Sequence, residues 1–162
     1  NGRAGIQLGG SLIWLKNKRW GFGLSGYAVQ SSMTNDVILL NQYRLAAGYG
    51  GLTVEYTLRP TERIHFSFPF IIGGGGIAYN RSNDVNLNDG QEPTEDSRAF
   101  FVMESGAMVE ANVIKYLRVG LGLTYRLTSN TLLSYQNNPA EIAGKSALTG
   151  LNFGLTVKFG LF

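Results

Sequence analysis

His65 is the only histidine in the chain, and it shares a face with Glu55 of the preceding segment, near one end of an expected hairpin. A histidine beside a carboxylate can move protons in acid–base catalysis. No nearby serine, cysteine or second histidine completes a catalytic set. The pair is therefore read as a buried hydrogen-bonded contact, and the chain as a non-enzyme. Cysteine is absent altogether, which excludes disulfides, thiolate metal sites and thiol nucleophiles. The stretch Asp84-Val85-Asn86-Leu87-Asn88-Asp89-Gly90 with Glu95 offers oxygens at Asp84, Asn86, Asn88 and Glu95, in the spacing of a calcium loop. The glycine falls one place late for that loop, and no flanking helices are suggested. An acidic surface loop without metal is the expectation. Gly73–Gly76 lacks the Lys-Ser/Thr of a phosphate loop and is read as a bend or bulge inside a strand. No cofactor is expected.

The remaining candidates are ionic. Arg44, Glu55, His65, Glu104, Glu110, Arg118, Arg126 and Lys158 fall on faces opposite continuous apolar stripes. Positioning them requires strands. One face of Ala4–Leu15 reads Ala4, Ile6, Leu8, Gly10, Leu12, Trp14, and Trp20–Ala28 reads Trp20, Phe22, Leu24, Gly26, Ala28. The same period of two runs through Ile64–Ile72, Phe101–Val113, Leu117–Leu127 and Leu151–Leu161, which is strand and not helix spacing. In Tyr43–Leu58 the stripe Tyr43, Leu45, Ala47, Tyr49 changes parity at Gly50-Gly51 to Leu52, Val54, Tyr56, Leu58. Paired glycines at a parity change predict a β-bulge.

Composition says which way the faces point. Glycine makes up 22 of 162 residues, about twice the usual share of ~7%. Charged residues are 15%, against a usual ~25%. The faces opposite the stripes are rich in glycine: Gly5, Gly9, Gly21, Gly23, Gly48, Gly73, Gly106, Gly120, Gly122, Gly154 and Gly160. A water-facing strand surface would carry Lys, Glu, Thr and Gln instead. Glycine fits where backbones crowd inside a narrow closed barrel, and a charge on a lipid-facing stripe costs ~2–4 kcal/mol near the midplane. The stripes hold none. Apolar outside with glycine and ions inside is the expected arrangement. The net charge of +3 is scattered, so no nucleic-acid surface is indicated. No apolar run approaches the ~18 residues of a spanning helix, and no basic stretch followed by an apolar one opens the sequence as an export signal would.

Connections agree with a membrane barrel. Short polar turns are expected at Lys16–Arg19, at Arg59–Arg63 and near Lys115, and longer loops at Ser31–Gln42, Asn80–Arg98 and Ser129–Ser146. Short turns on one side and long loops on the other are the outer-membrane pattern. Trp14, Trp20, Tyr56 and Tyr116 gather at the short-turn side, as an interfacial aromatic girdle requires. About seven strands are evident, whereas single-chain bacterial barrels have an even number from about 8 upward. The first long strand also runs into a short turn, so it descends. A first strand missing ahead of Asn1 is the expectation, with a partner chain or part of Asp36–Gln42 as the other sources of closure.

Tyr49-Gly50-Gly51-Leu52-Thr53-Val54-Glu55-Tyr56, Ile64-His65-Phe66-Ser67-Phe68-Pro69 and Ile72-Gly73-Gly74-Gly75-Gly76 resemble a family of small outer-membrane β-barrels common in Bacteroidota. Val109–Val113, Tyr116-Leu117-Arg118, Thr124-Tyr125-Arg126 and the ending Phe153–Phe162 extend the resemblance over most of the chain. It implies a fold and an outer-membrane location and carries no activity. The alternating apolar set stops at Leu161, one residue before the terminal Phe162 that a barrel-insertion signal would use.

The sequence thus predicts one all-β domain over residues 1–162, an antiparallel up-and-down transmembrane barrel of eight strands. The expected role is non-enzymatic: a structural or accessory subunit, or a docking partner, in an outer-membrane assembly. Its lumen would be filled by paired charges and glycine, and its partners would be membrane lipid and other outer-membrane proteins. Ala107, Ala111, Ala47 and Gly26 on the outer stripes would allow close approach of such a partner. The alternative is a small pore or ligand-binding barrel using the lumen or loops.

Overall fold

Period-two alternation makes two-faced strands, and short turns stack them into an antiparallel meander. In the computed structural model, residues 5–31, 34–36, 41–81, 94–134 and 141–161 are described, and among them there is no helix. The strands are β1 (Gly5–Lys16), β2 (Trp20–Ser31), β3 (Thr34–Asp36), β4 (Asn41–Leu58), β5 (Ile64–Arg81), β6 (Thr94–Ile114), β7 (Leu117–Thr128), β8 (Leu133–Ser134), β9 (Glu141–Ala143) and β10 (Gly150–Phe159). Seven long strands form one antiparallel sheet in the order β1-β2-β4-β5-β6-β7-β10, curled into a half-barrel. The short β3 pairs with β4, and β8 pairs with β9 as a separate hairpin. Asp36 and Asn41 face each other in the β3–β4 pairing, so these residues extend β4 and do not serve the other end of the sheet.

All three short turns lie at one end. In the first, Asn17 and Lys18 adopt left-handed φ values of 54° and 58°, which bends the chain back between β1 and β2. The backbone N–H of Thr57 donates to the Arg19 carbonyl at 2.7 Å and continues the ladder into the turn. At the opposite end the strands outrun expectation. Asp96, Ser97 and Arg98 belong to β6 and pair with Tyr79, Ala78 and Ile77, so both ends of the connection foreseen as Asn80–Arg98 are strand; residues 82–93 lie outside the described residues.

The predicted bulge at Gly50-Gly51 does not form. β4 pairs with β5 in unbroken register, with Gly50 opposite Gly74 and Gly51 opposite Gly73. Gly73–Gly76 is likewise regular, and the irregularities fall at Tyr79/Asn80 and Asn112/Ile114. Tyr43, Ala47 and Tyr49 are consequently buried. They share the inward parity of Glu55, and Arg44 and Gly48 share the outward parity of Leu52 and Val54. Ala47 therefore leaves the set of outer small residues, whereas Gly26, Ala107 and Ala111 keep outward positions. The reason is physical. A stripe shows that a face is apolar, not which side it faces, and the interior at the long-loop end is itself apolar. That core holds Tyr43, Tyr79, Ile77, Phe100, Val102 and Leu133, with Tyr43 and Tyr79 stacked at 4.8 Å between ring centroids.

The facing pair Gly51 and Gly73 has another use. A Cβ on Gly73 would run into the Gly50 carbonyl oxygen and come within 2.6 Å of the Gly51 Cα. Glycine here lets β4 and β5 coil tightly around the interior. Gly73→Ala is expected to destabilise the fold by about 1–3 kcal/mol, as overpacking does. At Gly154 a Cβ meets nothing within 4 Å, so Gly154→Ala should stay within about 0.5 kcal/mol. Urea titration followed by tryptophan fluorescence checks both.

Candidate functional site: a buried ionic network

Inward positions of β4, β5, β6, β7 and β10 converge on two clusters. The first lies toward the short turns. Lys158 Nζ on β10 reaches the Glu55 carboxylate on β4 at 2.6 Å and Glu110 Oε1 on β6 at 2.6 Å. Arg118 Nη1 stands 3.6 Å from Glu110 Oε2, and its Nε donates to Asn112 Oδ1 at 2.7 Å. His65 Nε2 lies 3.3 Å from Glu110 Oε2, and Nδ1 lies 3.3 Å from the Glu62 carbonyl oxygen. Ser67 Oγ donates to Glu110 Oε1 at 2.7 Å. Glu110 is the hub. Two carboxylates face the basic side chains of Lys158 and Arg118, so the formal charges cancel where water is scarce, as buried ions require.

The second cluster sits midway along the interior. Glu104 accepts from Tyr49 Oη at 2.6 Å and from Thr124 Oγ1 at 2.6 Å. Arg126 Nε is 3.8 Å from Glu104 Oε2, and its guanidinium lies 5.0 Å from the centre of the Tyr49 ring, a cation–π distance. Arg126 also donates to Asn152 Oδ1 at 2.7 Å and to the Leu148 carbonyl at 3.1 Å. Gln7 on β1 donates to Tyr49 Oη at 3.0 Å. Strands from both sides of the half-barrel are thus joined across its interior.

Seven of the eight residues foreseen as a charge network are brought together, in two groups. Arg44 is not among them. It stands on the outward parity of β4 because the expected bulge is missing. The His65–Glu55 pair is also corrected: in the sheet register His65 faces Glu110 and Glu55 faces Pro69, and Glu55 is held by Lys158. Ser67 was overlooked. It lies two residues along the same strand on the same face, so period-two reading alone could have placed it beside His65. Its hydroxyl bonds the carboxylate and not the imidazole, so histidine is not the bridge between serine and acid that a nucleophilic triad needs. Both side chains are buried. Tyr49 was missed as a network member because its apolar neighbours assigned it to the outer stripe.

The other candidates divide. Asp84, Asn86 and Asn88 lie outside the described residues, and Glu95 contributes its backbone to β6. Among the described residues no group of three or more acidic or histidine side chains could hold a metal. Trp14, Trp20 and Tyr56 share the outward parity at the short-turn end, with Trp20 and Tyr56 in register and 4.9 Å apart between ring centroids. Tyr116 is exposed in the third short turn, with Lys115 Nζ 5.5 Å from its ring centre.

His65→Ala is expected to lower stability by about 1–3 kcal/mol, the cost of emptying a fully buried side-chain site beside Glu110, with membrane behaviour unchanged. Urea unfolding beside a growth phenotype would measure it; loss of function with intact stability would instead mark His65 as chemical.

Fold and interior together define an up-and-down antiparallel β-barrel type with a packed, charge-paired core. The chain matches no protein-family model, no curated protein and no solved structure.

Proposed function

We propose that the chain is an integral outer-membrane β-barrel of the non-enzymatic kind, acting as a structural or accessory subunit that docks with other membrane proteins. One observation carries this reading: the polarity is inverted. Large apolar side chains such as Leu8, Leu24, Leu121 and Phe153 are exposed along the convex face, while Glu110 and Arg118 are 1% exposed in the concave one. In water that convex face would be an aggregation surface. Against acyl chains it is solvated, and the strands between β1 and β10 satisfy their backbone within the sheet. Trp14, Trp20, Tyr56 and Tyr116 then mark one interface, and the short turns the periplasmic side.

The interior supports a structural role. The two ion clusters and the aromatic core occupy the space a solute would need, and Leu133 of the β8 segment is fully buried against that core. Purification in mild detergent followed by mass spectrometry tests the docking role: a stoichiometric co-purifying membrane protein is the expected result. A protein recovered alone, with stable openings in planar-bilayer recordings, would replace this reading with the small-pore one.

A further inference from the structure

Along the chain the basic residues are scattered, but the meander brings six of them to one end. Lys16, Lys18 and Arg19 lie at the β1–β2 turn, Arg59 and Arg63 at the β4–β5 turn, and Lys115 at the β6–β7 turn. All six are exposed. Glu62 is the one acidic residue among these turns, so the short-turn end has a surplus of five positive charges. That exceeds the +3 of the whole chain. The interior clusters are balanced, so the remaining residues are net acidic.

Backbone conformation singles out two of these cations. Lys18 and Arg59 have φ values of 58° and 55°, in the left-handed region where a Cβ crowds the following carbonyl. Asn17, at 54°, is a residue type that tolerates this. Lysine and arginine are not, and glycine would occupy both places without strain. Among the described residues no other non-glycine position is left-handed. Strain of this kind gathers at functional positions.

The cations stand where the apolar face ends. Outward positions of β1 run Leu12, Trp14, Lys16 toward the turn, and Lys16 is in register with Trp20. Tyr56 and Leu58 precede Arg59, and Lys115 Nζ lies 5.5 Å from the centre of the Tyr116 ring. Apolar, aromatic, then cationic is the order of layers met on leaving a bilayer, from acyl chains through the interface to the phosphates. The charges are also spread over three turns along the rim and not gathered in one pocket. That spread fits a charged plane surrounding the protein, not a single partner molecule.

We propose that the short-turn end is a binding rim for anionic phospholipid headgroups, whose phosphates pair with these lysines and arginines just beyond the aromatic belt. The proposal rests on the membrane reading above and adds the lipid class that the rim selects. A zwitterionic headgroup brings its own ammonium and competes poorly for the rim; a net-negative one has no such handicap.

The chain's two tryptophans, Trp14 and Trp20, are built-in probes of this rim. The protein is folded into vesicles of phosphatidylcholine mixed with phosphatidylglycerol, with bromine on the acyl chains of one lipid or of the other, and quenching of tryptophan emission is compared. Brominated phosphatidylglycerol is expected to quench at low salt as if enriched about fivefold beside the protein. The preference is expected to vanish at about 1 M salt, where charges are screened beyond ~3 Å. Combining Lys16→Gln, Lys18→Gly, Arg19→Gln and Arg59→Gly should remove most of the preference while the urea midpoint holds or rises, because glycine relieves both strained positions. Equal quenching by the two lipids, a preference that survives in salt, or one unchanged in the variant overturns the proposal. Quenching by neither lipid would remove the membrane reading itself, and the rim with it.

Discussion

Glu110→Ala will cost the fold about 3–5 kcal/mol, the penalty for removing one partner of a buried ion pair and stranding the other. Four side chains converge on this carboxylate: Lys158, Arg118, His65 and Ser67. Alanine leaves Arg118 and Lys158 facing Glu55 as the one remaining carboxylate of the cluster, with an unbalanced positive charge away from water. Glu110→Gln should recover part of the loss, because an amide oxygen still accepts from Ser67. Glu62→Ala is the contrast. Its pairing with Arg59 at 3.5 Å joins two side chains that are 53% and 71% exposed, and such surface pairs contribute at most ~1 kcal/mol. Urea titrations of refolded protein separate the three. If Glu110→Ala matched Glu62→Ala, the interior would be wet and the packed network would not hold the sheet.

Leu123→Arg probes the convex face. Leu123 sits near the middle of β7 on the outward parity, paired with Ala107 and Phe153. If lipid surrounds this face, an arginine near mid-membrane is expected to weaken folding into vesicles by ~2–4 kcal/mol. On a water-facing strand the same change would be nearly neutral. Comparing equilibrium folding of the two proteins into phosphatidylcholine vesicles gives the difference directly. No penalty there would remove the inverted polarity on which the proposed location stands.

The strands were legible because alternation is local: Leu117–Leu127 and Leu151–Leu161 show their outward sets without ambiguity, and β7 and β10 follow them. Side was harder. In β6, β7 and β10 the inward positions carry Glu104, Glu110, Arg118, Arg126 and Lys158, and these ions mark the concave face. In β4 the marker fails. Tyr43, Leu45, Ala47 and Tyr49 look like an outer stripe but face an apolar layer of the interior, and Gly50-Gly51 has no side chain to show parity. Arg44 was misplaced for the same reason. Pairing within the site was only partly legible, since partners follow from register: the offset that sets Glu55 opposite Pro69 and His65 opposite Glu110 is decided by turn length and strand stagger, which no single segment displays.

The bond between Lys158 and Glu55 joins residues 103 positions apart in the chain. It cannot exist until the last long strand has arrived. A polypeptide arrested after β7 would carry Glu55 and Glu110 with Arg118 as the cluster's one obligate counter-ion, leaving one carboxylate charge unbalanced. The cluster therefore reaches charge balance only when β10 is in place beside β4 and β6.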